Sequence, residues 1–314
     1  MNKKQNQPIQ NPWRNPRVFG IIFLANIVNF SKADNYTILK TAKNTKFMAL
    51  IKTVVLPHSP LLIPEIGRAN YSFLDKTSVA YKQIGASLKE LGLETLVIIS
   101  PHSLTQDNAF TLNVSPEMEI NLKDFGFIPP KTVLVGDSLL ADQIKNALPS
   151  ELPLQLISEN ILDYGSAIPA YLFRGSVGEF KIVVISPADD LSLEEHYELG
   201  KYLKKIIEAS EKKIAVLASS DLSHRLKRKS PGGYSPKGAK FDNKLIEYLS
   251  DKETAAENIL KMDAKLIKDA GECGLKPIVI LLGILEGIPA KSRIISYQTD
   301  FGVGYLSLEF EIQA

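Results

Sequence analysis

This chain contains four histidines, and three of them stand just past a run of apolar residues. His58 follows TVVLP (53–57), His102 follows TLVIISP (95–101), and His224 lies a few residues beyond KIAVLAS (213–219), in SSDLSHRL (219–226). Imidazole is the commonest metal-ligating side chain, and its ordinary titration lies nearest neutral pH. Two imidazoles and one carboxylate on one face of an octahedron leave positions open for substrate and oxygen, an arrangement suited to non-haem Fe(II). Glu272, just ahead of the apolar stretch LKPIVILLGILE (275–286), can supply the carboxylate. An imidazole outside the ligand set can then move protons. Histidines at strand ends also serve as hydrogen-bonded loop residues, so spacing by itself leaves both readings open.

The elements that must position these residues are legible as period and punctuation. TVVL, TLVIIS, KIVVISP (181–187) and KIAVLAS are short apolar runs, the pattern of strands buried on both faces. In open α/β sheets ligands bind beyond the carboxyl ends of such strands, where His58, His102 and His224 fall. Residues 71–91 carry helical spacing and end at Gly92. Ser192 and Glu195 form a capping box ahead of an amphipathic stretch from Leu193 to Ala209. Phe241–Leu249, Ala255–Ala270 and residues 275–286 read as further helices, and 296–312 as a closing hairpin. Nothing rich in Gly, Ser or Pro divides 48–314, so the expectation is a single α/β domain of three layers.

Residues 1–47 differ. The first 17 are polar and aperiodic, as in disordered segments. Val18–Phe30 is an apolar run, shorter than the roughly 20 residues of a membrane span. A targeting segment is one reading; a dispensable extension upstream of Met48 is the preferred one. The chain has 314 residues, 45% hydrophobic and 23% charged, with a net charge of +2. Near-neutral charge gives no electrostatic footprint for nucleic acid, and no membrane partner is expected. The single cysteine, Cys273, excludes an intrachain disulfide and fits a cytoplasmic location.

From PHSPLLIPEIGR (57–68) and IISPHS (98–103) onward, through DYGSAIP (163–169), SSDLSHRL (219–226), GGYSPKGAKFD (232–242) and GECGLKPIVILLG (271–283), the chain resembles a known family. It is similar to the LigB-like class III extradiol ring-cleavage dioxygenases. Within that group the likeness is nearest to AmmeMemoRadiSam system protein B, and more distantly to the MEMO proteins. The resemblance covers roughly residues 50–312. It implies a mixed β-sheet flanked by helices. It implies His58 and His102 as metal ligands, Glu272 as the carboxylate ligand and His224 as the proton-transfer residue. It further implies Fe(II) as the metal, with Mn, Zn or Cu as other divalent choices. The implied substrates are O2 and a small catechol- or aminophenol-like aromatic. Homo-oligomers and the other AmmeMemoRadiSam proteins are the partners it suggests.

Two departures qualify the resemblance. The common Asp-His-Gly pattern reads Asp163-Tyr164-Gly165 here, so a pocket histidine becomes a phenol. A phenol can hydrogen-bond substrate or oxygen but does not titrate near neutral pH. Some relatives acting on 2-aminophenol resemble this chain in carrying Tyr, which points to an aminophenol-like substrate; Tyr164 is a candidate catalytic residue, with a pocket-wall role as the alternative. The MEMO proteins use a cysteine as a metal ligand where this chain has Cys273, so Cys273 is the alternative third ligand to Glu272. Thiolate favours softer metals than carboxylate does. Of the remaining candidates, Asp221 reads as a turn cap or as a residue that orients a loop or a ring nitrogen, with the cap preferred; His196 reads as a packing or solvated helical residue in preference to a pocket one, and Tyr234 as a lid or a surface turn. Lys201, Lys204 and Lys205 read as a solvated face.

Overall fold

The computed structural model describes residues 49–130 and 132–313, so the expected extension over 1–47 lies outside the described residues. Ten strands form one mixed sheet: β1 (Leu50–Leu56), β2 (Thr95–Ile99), β3 (Phe110–Asn113), β4 (Glu117–Glu119), β5 (Val133–Gly136), β6 (Leu154–Ile157), β7 (Lys181–Ser186), β8 (Ile214–Ser219), β9 (Ala290–Gln298) and β10 (Tyr305–Ile312). The main path runs β4-β5-β7-β2-β8-β1-β10-β9. At its centre β7, β2, β8 and β1 are mutually parallel, and they are the four apolar runs seen in the sequence. β10 closes antiparallel on β1 and pairs with β9 as a hairpin.

The central strands are apolar on both faces because both faces are covered. On β2, Leu96 and Ile98 point into one core while Val97 and Ile99 point into the other. The first core contains α2 (Asp75–Leu91) and α4 (Tyr164–Val177), after a short α1 (Pro64–Gly67). The second contains α3 (Ser138–Ala147), α5 (Leu193–Glu208), α6 (Pro236–Leu249), α7 (Lys252–Leu260), α8 (Ala264–Ala270) and α9 (Leu275–Ile284). Each fully buried Leu, Ile or Val contributes about 1.5–3 kcal/mol relative to exposure. The three-layer expectation therefore holds, and the mixed sheet with it.

Local differences from expectation have local causes. The helix expected over 255–270 is two helices, because the Asp263 carboxylate accepts the Lys265 N–H and caps a new start. The helix expected from Phe241 begins at Pro236, capped by the Ser235 hydroxyl. The first turns of the helix expected over 71–91 are 3₁₀, and α2 proper starts at Asp75. The hairpin begins at Ala290, not Ser296, and the alternating exposure of β9 shows it as a half-solvated edge strand.

α5 and α9 touch backbone to backbone. A Cβ on Gly283 would stand 2.1 Å from the Tyr197 carbonyl oxygen, and one on Gly200 2.1 Å from that of Ile280. This contact fixes α9, and so the segment just before it that carries Glu272 and Cys273. Gly283→Ala is expected to destabilise the fold by about 1–3 kcal/mol through overpacking, read from the denaturant midpoint. An unchanged midpoint would show that the helices can part at no cost.

Candidate metal centre

The centre is built at the carboxyl ends of β1, β2 and β8. β1 ends in Pro57-His58, and the Tyr81 hydroxyl of α2 donates to the Pro57 carbonyl at 2.6 Å, pinning the exit. His58 is buried, and its backbone N–H donates to Asp221 Oδ1 at 3.0 Å. β2 ends in Ser100-Pro101-His102. The Ser100 hydroxyl donates to Asp163 Oδ1 at 2.6 Å and accepts the His102 N–H at 3.3 Å. Asp163 caps α4, which places Tyr164 at its first position and directs the phenol toward His102. Gly271 ends α8 in the left-handed region (φ 58°), a conformation that favours glycine. Its carbonyl accepts His224 Nδ1–H at 2.8 Å. Gly274 packs against the end of β8, where a Cβ would stand 1.8 Å from the Ser220 hydroxyl. That close approach brings the preceding Cys273 to the same crevice.

His58 Nε2 and His102 Nε2 are 3.1 Å apart, and Cys273 Sγ lies 3.5 Å from His58 Nε2. Among the described residues, His58, His102 and Cys273 form a group whose donor atoms all fall within 4.8 Å of one another. Two donors about 2.1 Å from one zinc-sized ion stand roughly 3 Å apart at a right angle and somewhat more at a tetrahedral one, and thiolate bonds of about 2.3 Å widen the spacing further. The two separations at His58 Nε2, 3.1 Å to His102 and 3.5 Å to Cys273, fit that geometry. Asp221 Oδ2 borders the group, 3.7 Å from His58 Nε2 and 4.0 Å from His224 Nε2.

Protonation follows from the partners. His58 Nδ1 faces the Ser219 hydroxyl at 2.9 Å, and that hydroxyl donates to the Gly165 carbonyl at 2.6 Å. The single Ser219 proton is therefore taken, so His58 carries its proton on Nδ1 and a lone pair on Nε2. A carbonyl only accepts, so His224 likewise keeps a proton on Nδ1. Burial, and then the neighbouring His224, push His58 down to about 3; burial and His58 do the same for His102. Both rings are neutral donors at any ordinary pH. Burial pushes Asp221 up to about 6, and raises the Cys273 thiol well above its usual range, with Asp221 and Glu272 adding to that rise.

Each sequence candidate now has a place. His58, His102, Cys273, His224 and Tyr164 converge on one crevice, with the Tyr164 hydroxyl 2.8 Å from His102 Nε2. Glu272, expected as the third ligand, is not in the donor group. Its carboxylate oxygen Oε2 accepts the Leu275 N–H at 2.6 Å, because the first turn of α9 presents unpaired amides to it. Burial pushes its carboxyl up to about 7. Of the two roles open to Asp221, the orienting one matches its contacts rather than the preferred turn cap: it accepts the His58 N–H and stands 4.0 Å from His224 Nε2. His196 is buried against Phe110 and donates to the Ser192 carbonyl at 2.6 Å, a packing role within α5. Tyr234 is exposed in a loop pinned to His224 by the Gly232 N–H. Lys201 and Lys204 reach Glu286 beyond the end of α9, so that face is bridged as well as solvated. Ser100, Ser219 and Gly165 also build the site, and sequence reasoning misses them. The signal for the serines is a polar residue ending a strand buried on both faces.

Fold and centre together define an α/β protein with imidazole and thiol donors gathered at the exits of a central parallel sheet. The chain belongs to the family described as the catalytic LigB subunit of aromatic ring-opening dioxygenase, whose model matches residues 52–306. It is 32% identical over 274 residues to a Clostridium acetobutylicum protein, an alignment covering 84% of this chain and 58% of that one. The chain thus spans less than two thirds of that relative's length. It is 23% identical over 209 residues to the 3,4-dihydroxyphenylacetate 2,3-dioxygenase of Escherichia coli, covering 61% of this chain and 73% of the enzyme. An uncharacterized Escherichia coli K12 protein of known crystal structure shares the fold, with a TM-score of 0.60 and 18% identity over 82% of this chain and 99% of its own. Among the described residues, no helix is long and apolar enough to cross a membrane.

Proposed function

We propose that this chain is a metal-dependent dioxygenase that opens a catechol- or aminophenol-like ring with O2 in the extradiol manner. The observation that carries the reading is the convergence of two neutral imidazoles, His58 and His102, with a third, His224, whose Nε2 faces the same crevice. Family membership and the dihydroxyaromatic acid named for the Escherichia coli relative support it. His58, His102 and Cys273 would hold the ion. When bound, the metal supplies chelation of two adjacent aromatic oxygens and an electron path to O2, the role expected of Fe(II).

The chain's own residues supply the rest. His224 Nε2 accepts a proton from a substrate hydroxyl and later returns it, while Gly271 holds the ring by Nδ1. Burial, and then the nearby Cys273 and Asp221, raise the Tyr164 phenol above its ordinary value, so it keeps its proton and acts by hydrogen bonding alone. Phe125 packs edge-on against Tyr164 and gives the crevice an apolar wall. The test is oxygen uptake by anaerobically Fe(II)-loaded protein over a panel of catechols and aminophenols. Ring-opened product in step with oxygen consumed is expected, and no consumption across the panel would overturn the reading.

One observation favours a second reading. Cys273, not Glu272, joins the histidines, and a thiolate suits softer metals such as copper or zinc better than a carboxylate would. The chain would then be a metal-binding protein without ring-opening activity, acting beside a radical-SAM enzyme and a small partner domain as in AmmeMemoRadiSam systems. Copper or zinc in the purified protein, with no oxygen uptake after iron loading, is the outcome that separates it from the first.

Both readings share a pH signature. The raised Cys273 thiol must lose its proton to hold a cation, whereas His58 and His102, at about 3, have none to lose. Metal affinity is expected to climb about tenfold per pH unit between about pH 7 and 8. Calorimetry in buffers of different ionisation enthalpy would show one proton released per ion. A flat profile would remove Cys273 from the ligand set.

A further inference from the structure

We propose that Ser219 is a positioning residue that locks His58 in the one tautomer able to bind a metal, and that it does so through the Gly165 carbonyl. The inference rests on the metal-centre reading and extends it to a residue outside the donor group.

Ser219 is the last residue of β8 and is fully buried. Its hydroxyl lies between two groups: His58 Nδ1 at 2.9 Å and the Gly165 carbonyl at 2.6 Å. His58 has two neutral tautomers. With the proton on Nδ1, the ring donates to Ser219, Ser219 donates to Gly165, and every group in the chain is satisfied. With the proton on Nε2, Ser219 must turn its own proton to Nδ1, and the buried Gly165 carbonyl loses its donor. An unpaired buried acceptor is disfavoured, so the Gly165 bond selects the first tautomer. That tautomer leaves the Nε2 lone pair facing His102 and Cys273.

The same contact reaches further. Gly165 follows Tyr164, and a Cβ there would meet the Ser100 hydroxyl at 2.6 Å and the His102 ring at 3.3 Å. Ser219 therefore ties the exit of β1 to the start of α4, where His102 and Tyr164 stack with centroids 4.3 Å apart. One hydroxyl sets the protonation of one donor ring and the seat of the other.

The experiment compares Ser219→Ala and Ser219→Thr with the unaltered chain. ¹⁵N NMR of the metal-free protein reads the His58 tautomer directly, and titration with Zn²⁺ reads affinity. The expected result is an Nδ1-protonated His58 in the unaltered chain and in Ser219→Thr. Ser219→Ala should show a mixture of tautomers with the same far-ultraviolet circular dichroism, and about 10- to 100-fold weaker Zn²⁺ binding, the usual size of such outer contacts. An unchanged tautomer in Ser219→Ala would overturn the proposal. If the unaltered chain bound no Zn²⁺, the metal-centre reading would fall, and the NMR comparison would still decide the role of Ser219.

Discussion

Cys273→Ala is expected to weaken metal binding by about 100-fold or more, while Glu272→Gln leaves it within a few-fold. The two residues are neighbours in sequence with opposite orientations. Cys273 Sγ stands 3.5 Å from His58 Nε2, and Glu272 Oε2 is occupied with the Leu275 amide. Structural zinc sites bind with roughly 10–16 kcal/mol shared among four ligands, so one donor is worth about 3 kcal/mol. Gln retains an oxygen for the amides at the start of α9, and so keeps the cap. Glu272→Gln has its own signature in stability. The folded Glu272 carboxyl is raised to about 7, above its usual value of 4.5, so the folded state binds the extra proton. Its contribution is fully present below the unfolded value and is lost as pH rises through 7. Glu272→Gln should therefore gain thermal stability relative to the unaltered chain at alkaline pH and not at acid pH. A hundredfold loss of metal in Glu272→Gln, with none in Cys273→Ala, would reverse the ligand assignment.

His224→Gln is expected to keep full metal occupancy and lose about 10²- to 10⁴-fold in turnover, the usual value of a positioned acid–base group. His224 Nδ1 is committed to the Gly271 carbonyl, and Nε2 lies 4.0 Å from Asp221 Oδ2 with the side chain 27% exposed. It is the imidazole of the cluster that substrate can reach without displacing a donor. Gln cannot take up a proton from substrate, so the loss should fall on kcat more than on metal content. Added imidazole restoring part of the rate would strengthen the assignment. Equal loss of metal and activity would make His224 a ligand, and an unaltered rate would leave it without a catalytic role.

The central parallel sheet was legible because its strands are buried on both faces and so must be apolar throughout, as in TLVIIS and KIAVLAS. His58 and His102 were legible because they follow those strands at once, behind prolines that stop the pairing. The third member of the group was not. Glu272 and Cys273 are adjacent, and the choice between them depends on which one Gly274 turns toward β8, a close approach that spacing does not reveal. The outer strands β3 to β6 are short, and β6 is half solvated, so period alone leaves them unmarked. The serines that support the rings were hidden for another reason. A serine ending a strand reads as an ordinary turn residue until its hydroxyl is seen between a ring nitrogen and a carbonyl.

The central claim is that His58, His102 and Cys273 share one ion. X-ray absorption at the metal edge of protein loaded with one equivalent of zinc tests it most directly. The account predicts imidazole scattering from two rings and a single sulfur at about 2.3 Å, with the sulfur shell absent in Cys273→Ala. A shell of nitrogen and oxygen alone in the unaltered chain would contradict it.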